Sequence, residues 1–371
     1  MNKKEAAEIK KTYSKDNTSI SRICGCYVSA EGEILSKFAR TFLALPEEEQ
    51  FKYFEIFKKV LSGGFEKNLI NIEYSTESEL SGGSQYKMLK LRDSLLKDEN
   101  LLDDFYDRVI TSYDATGTNY LILLIADAYD VPTKTSDGDD LDDSDEVYQY
   151  ILCALCPVKL SEPGLSYAEE KDEFHERKRD WIVQKPECGF LYPAFNDRSA
   201  DVHAALFYTK NAKKLPEELM EELFDEENVL SAEEQKEAFL KTLEDTVSPD
   251  YETAKNIYEN IVKIGIEAAE EGKPPVFTQE ELCGVIEESG VRTDDVKVFQ
   301  KELASRAGKD ATVAAGNLIN NKMCEIKTAF MSIKADADEM ENLETRDVDG
   351  RKCLVIPVEK IISVDGMVIG N

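Results

Sequence analysis

Asn119-Tyr-Leu-Ile-Leu-Leu-Ile-Ala-Asp127 is followed, after an acidic segment, by Val147-Tyr-Gln-Tyr-Ile-Leu-Cys-Ala-Leu-Cys-Pro157. Two more runs come later, Gly189-Phe-Leu-Tyr-Pro-Ala-Phe195 and Val202-His-Ala-Ala-Leu-Phe-Tyr208. Each is apolar along its length instead of alternating. Such runs are expected of strands covered on both faces, at the centre of a sheet. The segment Ser136-Asp-Gly-Asp-Asp-Leu-Asp-Asp-Ser-Asp-Glu146 between the first two reads as a solvated acidic linker.

Working outward, residues 2–13 form an expected amphipathic helix with Ala6, Ile9 and Tyr13 on one face. Strands are expected at 20–28, 34–38 and 68–74. Pro46 followed by Glu47, Glu48 and Glu49 predicts a helix start, since proline suits the first position and carboxylates suit the positive helix end. Phe51, Phe54, Phe57 and Leu61 continue it, and Gly63-Gly64 ends it. Two further helices are expected at 84–97 and 99–113, and the charged segment 167–179 is expected to be helical.

From Leu215 the texture changes. Helices are expected at 216–225, 231–246, 250–271, 278–289 and 293–307, with a break at Gly272-Lys-Pro-Pro275. Ser231 with Glu234, and Thr278 with Glu281, have capping-box spacing. Residues 323–334 alternate like one strand. Beyond them Asp349-Gly350 and Asp365-Gly366 each separate apolar segments, a hairpin signal, because a type I′ turn needs positive φ at both central residues. The expected fold is α+β, with a mixed or antiparallel sheet and helices over 1–212, an acidic helical region over 213–310 and a small antiparallel β unit over 311–371.

Hydrophobic residues make up 42% of the 371, enough for packed cores. The formal net charge of −30 repels phosphate backbones and anionic lipid, so neither nucleic acid nor a membrane is expected as a partner. No apolar run reaches the roughly 18 residues of a membrane span, and Met1-Asn-Lys-Lys-Glu-Ala-Ala-Glu-Ile9 lacks the apolar core of a signal peptide. A cytoplasmic protein with free thiols is therefore expected.

Two cysteine pairs, Cys24-Gly-Cys26 and Cys153-Ala-Leu-Cys156, are candidate metal ligands. The spacing weighs against zinc: in strands Cys24 and Cys26 share a face, whereas Cys153 and Cys156 point to opposite faces. They read better as small buried apolar residues. The acidic run lacks the EF-hand pattern, because Gly138 is not at the sixth position from Asp137. Nucleotide, dinucleotide and serine-hydrolase fingerprints are missing, so no cofactor is expected. Candidate catalytic residues lie at strand ends: Asp127 and Asp130 after the first core strand, and Asp197, Arg198 and His203 after the third. Aspartates at strand ends also form turns, and Pro132 favours one.

Several phrases carry a family resemblance. They are Gly25-Cys-Tyr-Val28, Lys59-Val-Leu-Ser-Gly63, Asn119-Tyr-Leu-Ile-Leu123, Asp127-Ala-Tyr-Asp-Val-Pro132, Cys153-Ala-Leu-Cys-Pro-Val-Lys159 and Gly189-Phe-Leu-Tyr-Pro-Ala-Phe-Asn-Asp-Arg198. Together they resemble domain of unknown function 4317, an uncharacterised bacterial family found mainly in Gram-positive anaerobes. The resemblance runs over nearly the whole chain, most specifically over residues 20–210. It implies no activity, cofactor or site residue. The function expected from the residues is that of a binding or interaction (scaffold) protein, taking a protein or a small molecule. The alternative is a hydrolase or phosphate-handling enzyme built on the carboxylate and arginine cluster.

Overall fold

In a computed structural model the chain forms two compact units, Met1–Ser231 and Ala232–Asn371. The structure describes all residues except 135–139, 227–228, 271–275, 310, 321, 329, 357–361, 365–366 and 370–371.

The first unit starts with α1 (Lys3–Thr12). Its capping box is reciprocal: the Asn2 side chain accepts from the Glu5 N–H, and the Glu5 carboxylate accepts from the Asn2 N–H at 2.6 Å. Then come β1 (Arg22–Val28), β2 (Ile34–Thr41), α2 (Glu47–Val60), β3 (Leu69–Glu73), α3 (Ser84–Asp93) and α4 (Glu99–Ser112). Pro46 sits one place before the first helical residue, with the three glutamates in the first turn as expected.

The apolar runs are indeed strands. They are β4 (Tyr120–Lys134) and β5 (Asp140–Leu160), then, after three short strands β6 (Leu165–Ala168), β7 (Glu173–Glu176) and β8 (Trp181–Val183), β9 (Cys188–Tyr192). The short β10 (Ala194–Asn196) and β11 (Ser199–Asp201) precede β12 (Ala204–Thr209), and α5 (Glu217–Phe224) closes the unit. The central sheet has the order β2-β1-β4-β5-β9-β12-β3, and each of these pairings is antiparallel.

Both faces of the sheet are covered, which explains the unbroken apolar runs. On one face Cys24, Ile122, Leu124, Cys153, Phe190 and Phe207 join residues of α3, α4 and α5, among them Met88, Phe105 and Leu223. On the other, Ile23, Leu123, Ile125, Leu152 and Leu206 join Ile9 of α1 with Phe54 and Phe57 of α2. Helix α5, placed by sequence with the helical region from 213, thus packs within the first unit.

Three expectations fail here. β4 runs on to Lys134, so Asp127 and Asp130, expected at a strand end, lie within the strand opposite Tyr150 and Val147, and Pro132 does not end it. Residues 167–179 are not helical: β6 and β7 form a hairpin in which Tyr167 pairs with Phe174, their ring centroids 5.2 Å apart. Asp172 adopts φ +51° in the turn, so the charged stretch supplies a loop rather than a helix face. The acidic segment is also not a linker throughout. Residues 140–146 continue β5, with Glu146 opposite Val131 and Asp140 opposite Lys134. Ladder pairing with β4 overrides the weak strand propensity of aspartate. Residues 136–139 lie outside the described ones.

The second unit contains α6 (Ala232–Thr246), α7 (Tyr251–Glu270), β13 (Val276–Phe277), α8 (Gln279–Glu288), α9 (Thr293–Ala307), β14 (Val313–Ala314) and α10 (Ala315–Leu318). The break expected at 272–275 lies outside the described residues. Phe239 of α6 meets Phe299 of α9 edge to face at 6.1 Å, with Leu282, Ile286 and Leu303 also buried. The Thr278–Glu281 capping box is present.

Three hairpins follow: β15 (Met323–Lys327) with β16 (Ser332–Asp336), β17 (Glu344–Val348) with β18 (Arg351–Val355), and β19 (Ile362–Val364) with β20 (Met367–Ile369). The single strand expected over 323–334 is therefore two, because the same alternation continues on both sides of a turn. Asp349 and Gly350 have φ of +51° and +74°, as a type I′ turn requires. The Asp365-Gly366 pair is outside the described residues, although β19 and β20 pair across it. Among the described residues no helix is long and apolar enough to cross a membrane.

Candidate functional site

The four candidate cysteine ligands do not converge. Cys24 and Cys153 both pair with Leu124, so β4 separates them by two strand spacings, roughly 10 Å. Cys26 lies on their face, while Cys156 belongs to the opposite core. Zinc needs its thiolates at about 2.3 Å in a tetrahedron. Burial instead favours the neutral thiols, pushing Cys26 up to about 11 and Cys156 up to about 12. Among the described residues no group of three or more His, Cys, Asp or Glu is placed to hold a metal ion.

The five polar candidates divide. His203 lies apart, its Nδ1 3.0 Å from Glu79 Oε1 and 3.3 Å from Gln85 Nε2 beside α3. Asp197 and Arg198 are the two turn residues between β10 and β11, with φ of +49° and +60°. In this turn Asp197 is exposed, whereas Arg198 reaches back to the sheet. The guanidinium donates to Glu8 Oε1 and to the Pro132 carbonyl, both at 2.9 Å. The Tyr129 hydroxyl donates to the same Glu8 oxygen at 3.0 Å.

Arg198 and Asp130 line one groove of about 700 Å³, together with Lys4, Glu8, Lys11 and Ser19. The volume suits a small ligand. Its charged side chains are three cations (Lys4, Lys11, Arg198) and two carboxylates (Glu8, Asp130), net +1. The chain as a whole carries −30.

Asp127 sits behind this groove, 2% exposed. Its Oδ1 accepts from Ser19 Oγ at 2.8 Å and from the Ala128 N–H at 2.8 Å. Its Oδ2 accepts from the Tyr150 hydroxyl at 2.7 Å. Burial raises the carboxyl pKa above its usual value, and these three donors oppose the rise. The phenols of Tyr13, Tyr148 and Tyr150 are pushed well up by their burial, with the Asp127 charge adding to it. Ser19, by contrast, is exposed and opens on the groove.

A second cavity, of about 390 Å³, lies by Tyr113, Glu187, Cys188 and Lys214 near the other end of the core strands. Burial holds the Cys188 thiol far above its normal range, so it offers no thiolate there.

The family model described as Domain of unknown function (DUF4317) matches residues 1–367. The chain belongs to this family. No curated protein matches it. For this DUF4317 member the site must therefore be read from its own geometry. Reading the sequence identified Asp130, Arg198 and Asp127 but not Ser19, Tyr150, Lys11 or Glu8. No local pattern marks Glu8, Lys11 and Ser19, since α1 and the lead into β1 reach the site only through sheet order, and Tyr150 reads from sequence only as part of a core strand. Ser19 and Asp127 are 108 residues apart in the chain.

Proposed function

We propose that this DUF4317 protein is a binding protein of the bacterial cytoplasm, and that the groove between α1 and the β10–β11 turn takes a small anion. The observation that carries this reading is the charge of the groove, net +1 in a chain of net −30. Three cations clustered in an acidic molecule focus positive potential where a compact anion can enter. Arg198 is held by Glu8 and the Pro132 carbonyl, so its position is set before any ligand arrives. The eight cysteines are free thiols, six of them buried, which suits a reducing compartment.

The test is thermal unfolding of the full chain with succinate, citrate or inorganic phosphate at matched ionic strength. An anion that binds the native state stabilises it by RT ln(1 + L/Kd), where L is its free concentration, and so raises Tm as L rises above Kd. At least one of these anions is expected to raise Tm of the wild type but not of the Lys4→Glu/Lys11→Glu variant. If none does so, or if the variant responds equally, the groove is not an anion site.

A further inference from the structure

We propose that Ser19 and Asp127 form a nucleophile–base pair that hydrolyses small esters bearing a negative charge, an activity that rests on the groove being the ligand site. The pair meets the first geometric demand of such chemistry, a nucleophile hydrogen-bonded to its base. Ser19 Oγ is exposed to the groove and donates to Asp127 Oδ1 at 2.8 Å, within reach for direct proton transfer. The base is itself held: Tyr150 donates to Oδ2 at 2.7 Å, and the Ala128 N–H donates to Oδ1 at 2.8 Å. A carboxylate fixed at both oxygens cannot swing away from the serine. Its 2% exposure shields it from water and makes it a stronger base than a surface aspartate.

The groups around Asp127 are the Tyr13, Tyr148 and Tyr150 phenols, whose interactions with it are electrostatic or through hydrogen bonds. Lys4, Glu8, Lys11, Asp130 and Arg198 are the charged side chains of the groove on which Ser19 opens. Lys4 and Lys11 would hold the charged end of the substrate, which selects an anionic ester over a neutral one.

Ser19 Oγ attacks the acyl carbon, its proton passes to Asp127 Oδ1, and the carbonyl π pair moves to oxygen. Collapse breaks the bond to the alcohol oxygen, which leaves with the proton from Asp127 and gives an acyl-serine. Water then attacks that acyl carbon while Asp127 takes a proton. The proton returns to Ser19 Oγ as the acid departs. Ester and water become acid and alcohol, with no further reagent. Tyr150 is a positioning residue.

The experiment uses the full chain with the 4-nitrophenyl monoester of succinic acid, 4-nitrophenyl butyrate and an alkyl fluorophosphonate probe. The wild type is expected to cleave the succinate ester faster than the butyrate and to take the probe on Ser19, as mapped by mass spectrometry. Ser19→Ala, a change at an exposed position, is expected to lose labelling and at least roughly 100-fold in kcat/KM. Tyr150→Phe removes a donor from the carboxylate, so the acid limb of its pH–rate profile moves to higher pH. A merely structural tyrosine would lower the rate without moving that limb.

Wild-type turnover by Ser19→Ala, or no labelling of Ser19, overturns the nucleophile–base pair. Equal cleavage of the two esters, unchanged in Lys4→Glu/Lys11→Glu, overturns the anion-site reading and with it the selection for charged esters, while Ser19 labelling would still support the pair.

Discussion

Asp127 shows how one residue can be legible as a type and hidden as an environment. Its carboxyl is raised by burial, so the native state holds a proton that the unfolded chain has already released. Below the ordinary aspartate value both states are protonated and the residue contributes no pH dependence. As pH rises from there through the folded value, stability falls, and above that value the penalty for the buried charge is fully present. Asp127→Asn removes the titration. Its Tm relative to wild type is therefore expected to improve as pH is raised from the ordinary aspartate value, as followed by circular dichroism. A constant difference as pH rises would show that the carboxyl carries no burial penalty. Asp127→Ala is a harsher change, because it strips the buried Tyr150 hydroxyl of its acceptor, at about 1–3 kcal/mol.

Elements differ sharply in what they add to stability. The β6–β7 hairpin leaves Phe174 70% exposed, whereas Phe105 of α4 is 2% exposed and meets Phe190 of the sheet at 6.1 Å. Urea unfolding should separate them: Phe174→Ala is expected to change stability by less than about 0.5 kcal/mol, and Phe105→Ala to lower it by about 3–5 kcal/mol. Comparable losses would mean that the hairpin is packed in solution. The same contrast explains the misreading of residues 167–179. Their charge and their Tyr167–Phe174 spacing fit either a helix or a hairpin, and no buried face exists to settle the period. Helices with a buried stripe, such as α4 with Leu102, Phe105 and Val109, were legible for the opposite reason.

At the scale of the whole molecule, both cores of the large sheet lie within Met1–Ser231. A chain ending at Ser231 is therefore expected to fold on its own, with a single sigmoidal urea transition and an intact near-ultraviolet tyrosine signal. A broad, non-cooperative transition would show that the unit needs residues beyond 231. Sequence alone determined the α+β class, the four core strands, most helices and the type I′ hairpin at Asp349-Gly350, since these follow from short-range periodicity and turn chemistry. It also named Asp127, Asp130 and Arg198. Only tertiary structure decided that Asp130 and Arg198 line one groove with Asp127 buried behind it and bonded to Ser19, that Asp197 and His203 stand away from it, and that Cys24, Cys26, Cys153 and Cys156 cannot share an ion. Those outcomes depend on strand order, which brings Ser19 to Asp127 and Glu8 to Arg198 across 108 and 190 residues. No local periodicity carries information over such distances; long-range strand pairing and two-sided burial of the sheet do.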